Sequence, residues 1–373
     1  MNSAPFTDSA SPAFRAVGRA VADLRRGVPV AVLGATGGLV AMAAELVDGT
    51  SVRDLAALTG AAPILALTAE RAAVLHIPPD GDPTVLLALS SHMDAAAIRT
   101  LADPATDLDN PMRGPFRRAE ASGLPAAAAV LLAKHARLLP AILLAPIPAT
   151  ADAAAWARQN DLMAVTAVAV SSHAEDAAKS LQQAASAPVP LFGAENTRIV
   201  AFRPADGGIE HIAIVVGEPH RDEPVLVRLH SECFTGDLLG SLRCDCGDQL
   251  RGAIRQIAKE GAGIVLYLAQ EGRDIGLVNK LRAYELQDRG FDTFDANEAL
   301  GFDADERVFL PAAEILRQLG IGRVRLLTNN PRKVEALTEA GVEVADRVAH
   351  AFPSNGHNAA YLQAKRDRAG HLL

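Results

Sequence analysis

The three cysteines of this chain, Cys233, Cys244 and Cys246, are the residues whose types and spacing most directly indicate chemistry. They lie within fourteen residues of a chain of 373, which has no other cysteine. Thiolates at this C-x10-C-x-C spacing can converge on one borderline metal ion, and zinc fits them best. Structural zinc normally has four protein ligands, so three cysteines predict a fourth position left for water or substrate. The alternative is a structural site that His230 completes, with one cysteine serving as a buried apolar residue.

Two charged segments follow predicted strand ends and indicate an anion site. The run Gln270-Glu271-Gly272-Arg273 combines a glycine, which permits close backbone approach, with an arginine that can bind two phosphate oxygens. The run Thr328-Asn329-Asn330-Pro331 precedes Arg332 and Lys333, which open a predicted helix. Free N–H groups at a helix start, together with two cations, favour an anion. The two segments therefore predict a shared nucleotide pocket.

Short elements of the second half must position these residues. Continuous apolar runs predict strands, and apolar residues at helical spacing predict helices. The predicted strands are 225–229, 263–268 and 324–327, and the predicted helices are 248–259 and 277–289. The first strand carries Arg228 and delivers the corner His230-Ser231-Glu232 to the cysteines.

The first half alternates strand and helix patterns, which predicts a mixed α/β domain. The predicted helices are 16–26, 39–46, 126–134 and 150–159, and the predicted strands are 28–33, 64–67, 141–144 and 162–170. The glycine-rich loop 34–38 lies between a predicted strand and a predicted helix, where backbone N–H groups can hold phosphate. It matches neither G-x-G-x-x-G nor the P-loop, so a plain turn is the better interpretation.

The predicted organisation is a two-domain α/β (mixed α+β) protein. Residues 1–12 are predicted to be a disordered leader, 13–181 the first domain, 182–194 a linker rich in small residues, and 195–373 the second domain.

Composition narrows the class of protein. A formal charge of −8 argues against a nucleic-acid binder, although local basic clusters can still hold phosphate. The most apolar tract, 126–149, is interrupted by charged residues and a proline and is a poor membrane span. The N-terminus lacks the layout of a signal peptide, and the clustered cysteines fit a reducing compartment, so we expect a cytoplasmic protein with no membrane partner.

The second half resembles GTP cyclohydrolase II over a series of colinear motifs. These are His230-Ser231-Glu232-Cys233, Thr235-Gly236-Asp237, Ser241 to Gly247, Gln270 to Arg273, Asn279 to Tyr284, Asp305-Glu306-Arg307, Leu327 to Pro331 and the terminal Gly370-His371-Leu372-Leu373. Ala269 stands where that family commonly carries arginine.

The resemblance implies GTP as substrate, one Zn²⁺ on the three cysteines, Mg²⁺ on the triphosphate and a homodimer. It implies catalytic roles for Asp305 as proton acceptor, for Tyr284 beside the ring chemistry, and for Arg307 as a nucleophile. Because a guanidinium is a poor nucleophile and a good phosphate ligand, the alternative role for Arg307 is that of a phosphate clamp. The implied nucleotide contacts are Arg228, Leu229, His230, Ser231, Glu232, Gln249, Glu271, Gly272, Arg273, Thr293, Thr328 and Lys333.

The first half resembles 3,4-dihydroxy-2-butanone 4-phosphate synthase, a fold often fused ahead of that enzyme. The likeness lies in 22–27, 43–45, Asp107 to Pro111 and 156–160. The loop 34–38 has no carboxylate to hold the magnesium that such a synthase needs. The resemblance therefore implies a degenerate, non-catalytic domain.

Parts of the same pattern are also compatible with other functions. One is a catalytically weak GTP-binding regulatory protein of the same fold, and another is a bifunctional enzyme with working synthase activity. A zinc nucleobase deaminase shares the H-x-E pattern of His230-Ser231-Glu232, but the chain has C-x-C where that family needs P-C-x-x-C.

Overall fold

The computed structural model describes residues 11–90, 92–111, 113–120, 125–354, 356–358, 363 and 366–368. The strands are β1 (Val30–Leu33), β2 (Gly38–Ala43), β3 (Ile64–Thr68), β4 (Thr84–Ala88), β5 (Arg117–Arg118), β6 (Ala141–Pro146), β7 (Ala164–Thr166), β8 (Gln182–Pro188), β9 (Thr197–Arg203), β10 (His211–Val216), β11 (Val225–Ser231), β12 (Gly263–Leu268), β13 (Arg323–Leu327) and β14 (Glu343–Val348). The helices are α1 (Pro12–Arg25), α2 (Ser51–Thr59), α3 (Ala69–Val74), α4 (Ala95–Ala102), α5 (Ala126–His135), α6 (Ala153–Gln159), α7 (Ala167–Lys179), α8 (Cys246–Glu260), α9 (Leu277–Asp288), α10 (Thr293–Ala299), α11 (Leu310–Gln318) and α12 (Pro331–Glu339). The mixed α/β class and the division into two parts are confirmed.

The first sheet has the strand order β5-β4-β3-β6-β2-β1-β7. Its neighbours are antiparallel except for β1 and β7, which are parallel. Helices α1 and α5 contribute Val17, Leu24 and Leu132 to a core with strand residues such as Val32 and Ile142, all of them fully buried. Burial of the apolar faces of these two helices against the sheet stabilises this part of the fold.

The second sheet has the order β14-β13-β11-β12-β10-β9-β8. Strands β12, β11, β13 and β14 are parallel to their neighbours in that run, and the remaining pairs are antiparallel. The carboxyl ends of parallel strands lie at one edge of a sheet, where open α/β sheets bind ligands. The predicted site segments follow β11, β12 and β13 and therefore meet at that edge.

The chain forms two compact units whose composition differs from the predicted domains. The N-terminal unit contains Ala10–His173 and Val278–Glu306, and the C-terminal unit contains Ala174–Leu277 and Arg307–Leu373. Residues 278–306 were predicted to belong with the second domain, but they group with the first sheet and its helices. Chain order alone does not reveal such long-range contacts.

The predicted linker 182–194 is wrong over its first part. Residues Gln182–Pro188 form β8, which pairs antiparallel with β9. All seven residues of this edge strand are exposed, so the sequence needs no alternation of apolar and polar residues there. Residues 1–10 of the predicted leader lie outside the described residues, whereas Pro12 begins α1 after the N-cap Ser11.

Two other elements differ from their predictions, one because of strand pairing and one because of a helix cap. The predicted helix 39–46 is instead β2 followed by a single 3₁₀ turn, because β1 and β6 hydrogen-bond to it from both sides. Loop 34–37 therefore closes a hairpin, as a plain turn, and does not open a helix. The predicted strand 162–170 is β7 only, because the Thr166 hydroxyl accepts the Ala169 N–H and α7 begins there.

The apolar tract 126–149 contains α5 and β6, which are packed inside the N-terminal unit. Within the described ranges, no helix combines the length and the apolarity that crossing a bilayer requires.

Candidate metal and nucleotide site

The sulfur atoms of Cys233, Cys244 and Cys246 converge at the carboxyl end of β11. All three lie within 4.8 Å of one another, and those of Cys233 and Cys244 are 3.7 Å apart. Cys246 is the first residue of α8. Hydrogen bonding to Cys233 raises the pKa of the Cys244 thiol to about 11, and the pKa of Cys246 rises for the same reason. A cation bound between the three sulfurs would stabilise their thiolate forms, so the residues fit a metal ion.

A single turn of π-helix, Phe234–Leu238, shapes this cysteine centre. The backbone N–H of Gly236 donates to Cys233 Sγ at 3.3 Å. A Cβ on Gly236 would lie 2.7 Å from Cys244 Sγ and 3.0 Å from Cys233 Sγ. Only glycine therefore lets the backbone approach the three sulfurs this closely.

The carboxylate of Asp237 holds three groups around the centre. It accepts the backbone N–H of Cys233 at 2.9 Å, the Tyr267 hydroxyl at 3.0 Å and the ring of His230 at 3.0 Å. His230 and Tyr267 are register neighbours on β11 and β12, and their rings stack with centroids 5.6 Å apart. Burial, followed by the charge of Asp237, raises the pKa of Tyr267 well above its ordinary value, which keeps the phenol neutral.

His230 is not among the clustered ligands. Within the described ranges, the group of candidate metal-ligand atoms consists of the three sulfurs. Burial lowers the pKa of His230, so the neutral ring donates from Nε2 to Asp237 and leaves a lone pair on the buried Nδ1. That nitrogen has no hydrogen-bond partner in the described part of the chain. The alternative in which His230 completes a structural metal site is therefore not supported.

Arg228 lies buried on β11 within a chain of polar contacts. Its Nη1 donates to the carbonyl of Leu327 at 2.9 Å, and its Nη2 donates to Gln249 Oε1. Gln249 in turn donates from Nε2 to Asp245 at 2.5 Å. Burial lowers the pKa of Arg228 to about 10, so the guanidinium stays charged at neutral pH. Its Nε–H is buried and has no hydrogen-bond partner among the described residues.

Lys333 and Arg307 both lie against Phe309. The Lys333 ammonium donates to the carbonyl of Leu229 at 2.8 Å and lies 5.7 Å from the Phe309 ring centre. The Arg307 guanidinium lies 5.5 Å from the same centre. An aromatic face stabilises a cation without neutralising it, so these contacts leave both side chains positively charged.

The turn after β12 is tied to the cysteine centre. Glu271 is buried and accepts the backbone N–H of Phe234 at 2.6 Å and that of Gly272 at 3.0 Å. Gly272, Arg273 and Asp274 all have positive φ, at 63°, 63° and 77°. Left-handed conformations at two consecutive non-glycine residues store strain, a feature that clusters at functional sites.

The turn after β13 is held by polar side chains. The hydroxyl of Thr328 accepts the N–H of Asn330 at 3.0 Å, and Asn330 caps α12. Asn329 exchanges two hydrogen bonds with the backbone of His350, whose ring contacts the carbonyl of Gln249 at 2.9 Å. This turn thereby connects β13 to α8.

The remaining predicted residues of the C-terminal unit lie on or after β11. The Ser231 hydroxyl is buried without a partner in the described part, and Glu232 donates its N–H to Leu268 at 2.8 Å. At Ala269, where the resemblance expects arginine, the backbone N–H donates to His211 Nδ1 at 3.1 Å.

Three predicted residues lie in the N-terminal unit. Tyr284 is on α9, with the Lys280 ammonium 5.8 Å from its ring centre. Thr293 begins α10 and its hydroxyl is 3.5 Å from Gln287 Nε2. Asp305 is half-buried in the loop that follows Gly301.

Sequence reasoning assigned no role to Asp237, Asp245, Tyr267 and Phe309, which hold the site together. Asp237 lies inside the quoted Thr235-Gly236-Asp237 motif, so the motif was the available signal. Tyr267 is an ordinary residue of a strand, and its pairing with His230 depends on the register of two distant strands.

The sequence is similar to known proteins of one family. The sequence profile of the GTP cyclohydrolase II family matches residues 182–349. GTP cyclohydrolase-2 of Azospirillum brasilense is 55% identical over 364 residues, covering 97% of this chain and 94% of that protein. GTP cyclohydrolase-2 of Shigella boydii is 55% identical over 175 residues, covering 47% of this chain and 89% of that protein.

Among solved structures, a similar chain is RibBX, a two-domain 3,4-dihydroxy-2-butanone 4-phosphate synthase from A. baumannii. It is 17% identical, has a TM-score of 0.33, and the alignment covers 90% of this chain and 99% of that chain.

Proposed function

Because the chain belongs to the GTP cyclohydrolase-2 family, we propose that it hydrolytically opens the imidazole ring of GTP in a zinc-dependent reaction. Formate and pyrophosphate leave, and 2,5-diamino-6-(5-phosphoribosylamino)pyrimidin-4(3H)-one remains, as the first step of riboflavin biosynthesis. The observation that carries the proposal is the convergence of Cys233, Cys244 and Cys246 within 4.8 Å beside buried, charged strand ends.

Zinc is the metal best matched to three cysteine ligands with one position left open. When bound there, zinc would supply Lewis acidity, which lowers the pKa of water. The chain's own contribution is to hold the three sulfurs in place. Asp237 fixes the backbone of Cys233, and Gly236 lets the π-helical turn approach the sulfurs.

The nucleotide contacts are proposed from the resemblance, and the buried polar and charged groups at the strand ends support them. Arg228 Nε–H and His230 Nδ1 offer a donor and an acceptor that lack partners among the described residues. Lys333 and Arg273 provide positive charge for phosphate, and Mg²⁺ is proposed on the triphosphate. The other proposed contacts are Leu229, Ser231, Glu232, Gln249, Glu271, Gly272, Thr293 and Thr328.

The proposed catalytic residues are Asp305, Tyr284 and Arg307. Asp305 accepts a proton during ring opening, and Tyr284 lies beside the ring chemistry. We assign Arg307 as a phosphate clamp, because its guanidinium faces the Phe309 ring and stays cationic. A positive charge at the α-phosphate stabilises the negative charge that develops as pyrophosphate leaves.

The assembly and the compartment are also proposals. We propose a cytoplasmic homodimer that binds neither nucleic acid nor membrane, in keeping with the net charge of −8 and the clustered cysteines. The N-terminal part is proposed to have no synthase activity, since the hairpin loop 34–37 offers no carboxylate to magnesium.

The deciding experiment incubates zinc-loaded protein with GTP and Mg²⁺ and measures formate, pyrophosphate and the pyrimidine absorbance together. Formate, pyrophosphate and the pyrimidine product are expected in equal molar amounts. GTP binding without any of these products would instead identify a regulatory protein of the same fold. Ammonia release would indicate a deaminase and would refute the proposal.

A further inference from the structure

Residues 278–306 come from the second half of the sequence but pack against the N-terminal part of the chain within one unit. At the start of this segment, Asn279 Nδ2 donates to the carbonyl of Arg137 at 3.0 Å. One turn later, Arg282 donates to Glu45 at 3.1 Å and forms an ion pair with Asp103 at 3.2 Å. The N-terminal part therefore fixes the beginning of the segment.

The end of the segment is fixed as well. Thr68 donates from its hydroxyl to the carbonyl of Gly301 at 2.8 Å. The fully buried Arg71 donates to the carbonyl of Ala299 at 3.3 Å and is paired with Asp107. Both Thr68 and Arg71 belong to the N-terminal sheet and the helix that follows it, so each end of the segment depends on that part of the chain.

The loop 303–306 follows directly and carries Asp305. Glu306 Oε1 accepts the backbone N–H of Asp303 at 2.7 Å, which closes the loop. The Lys134 ammonium on α5 contacts the same Oε1 atom at 2.7 Å and Asp303 Oδ2 at 3.1 Å. One lysine from the N-terminal part thus holds both ends of the four-residue loop in which Asp305 lies.

Burial decides which of these two ion pairs matters. The side chains of Lys134 and Glu306 are 15% and 18% exposed, whereas that of Asp303 is 59% exposed. An exposed pair contributes little, but loss of one partner of a largely buried pair leaves the other charge uncompensated. Of the two ion pairs, the one between Lys134 and Glu306 therefore contributes more to holding the loop.

We propose that Lys134 is a positioning residue for Asp305, and that the N-terminal part of the chain thereby serves the ring-opening reaction without catalysing a step itself. This inference rests on the proposed function, in which Asp305 accepts a proton. A displacement of a reacting group by about 1 Å can lower the rate about 100-fold. Because Lys134 acts through the loop, its loss should lower kcat and leave both the KM for GTP and the zinc content nearly unchanged.

The test compares Lys134→Met with Lys134→Arg in the full-length, zinc-loaded protein. Lys134→Met removes the charge at similar length and is expected to lower kcat at least tenfold, with KM changed less than twofold. Lys134→Arg keeps the charge and is expected to restore most of kcat. Glu306→Gln should resemble Lys134→Met, and the double variant should be no slower than either single one. The matched control is Lys179→Met, which removes an exposed lysine paired with Glu175 and should not change kcat.

Hydrogen exchange of the backbone amides in 303–306 gives a readout independent of turnover, and Lys134→Met should accelerate it. An unchanged kcat, unchanged exchange in that loop, or a fall in kcat that merely follows lost zinc or global unfolding would each overturn the inference. If the wild-type protein opens no GTP, the proposed function fails, and the exchange measurement still decides whether Lys134 holds the loop.

Discussion

A Cβ atom placed on Gly236 would lie 2.7 Å from the sulfur of Cys244, closer than such atoms can approach. Gly236→Ala should therefore push the π-helical turn away from the three sulfurs and weaken metal binding about 10- to 100-fold, as losses next to a metal site typically do. A competition titration with a zinc chelator measures this. Gly322→Ala is the control, because a Cβ there has no neighbour within 4 Å. Equal zinc affinity in both variants would show that the turn does not shape the centre.

The carboxylate of Asp237 accepts hydrogen bonds from the Cys233 N–H, the Tyr267 hydroxyl and the His230 ring. Asp237→Asn turns one acceptor into a donor and should leave at least one buried donor unsatisfied, which costs about 1–3 kcal/mol. Tyr267→Phe removes a single hydrogen bond and should cost about 1 kcal/mol. Urea unfolding, monitored by amide hydrogen exchange in the C-terminal unit, measures the free energy of unfolding of both variants. A larger loss of unfolding free energy for Tyr267→Phe than for Asp237→Asn would contradict the role of Asp237 as the shared acceptor.

The buried His135 should make the N-terminal unit less stable in acid. Burial lowers its pKa to about 4, and the neighbouring His173 ring acts in the same direction. Between pH 6.5 and 4 the unfolded chain binds a proton that the folded chain does not, so the free energy of unfolding falls as the pH is lowered through this window.

The chain's single tryptophan, Trp156, lies on α6 in the same unit, and its fluorescence during denaturant unfolding measures the effect. His135→Gln should flatten the pH dependence between 6.5 and 4. If the free energy of unfolding of the variant depends on pH as steeply as that of the wild type, groups other than His135 cause the effect.

Gly301 should tolerate no side chain. Its φ is +86°, and a Cβ there would lie 2.9 Å from the Thr68 hydroxyl oxygen and 3.0 Å from Pro140. Gly301→Ala is expected to destabilise the N-terminal unit by more than about 1 kcal/mol, because backbone strain and a clash act together. Gly60→Ala, with φ +73° and open space around the Cβ, isolates the strain alone. If the unfolding midpoint measured by Trp156 fluorescence shifts equally in the two variants, the neighbours of Gly301 move aside and the clash costs no stability.

The local patterns around the site were sufficient to predict its main parts. The cysteine cluster follows from spacing, and the strand 263–268 is β12 with the same bounds. The role of Asp237 could not be predicted, because it depends on Tyr267, which β11–β12 pairing brings from thirty residues away. Strand β8 escaped prediction because every residue in it is exposed.

The grouping of residues 278–306 with the N-terminal unit also lies beyond local sequence reasoning. It depends on contacts such as the one between Thr68 and Gly301, which are 233 positions apart. Helix propensity misled at residues 39–46, because hydrogen bonding by strands on both sides outweighs the preference of alanine and leucine for helix.

The most direct test of the central claim measures bound zinc and released formate on the same samples of wild-type protein and Cys244→Ser. One zinc per chain and formate formation in proportion to zinc content are predicted for the wild type. Cys244→Ser should lose most of its zinc and essentially all ring opening, because a serine hydroxyl is a far poorer zinc ligand than a thiolate. A Cys244→Ser protein that still releases formate at the wild-type rate would contradict a catalytic metal at the three cysteines.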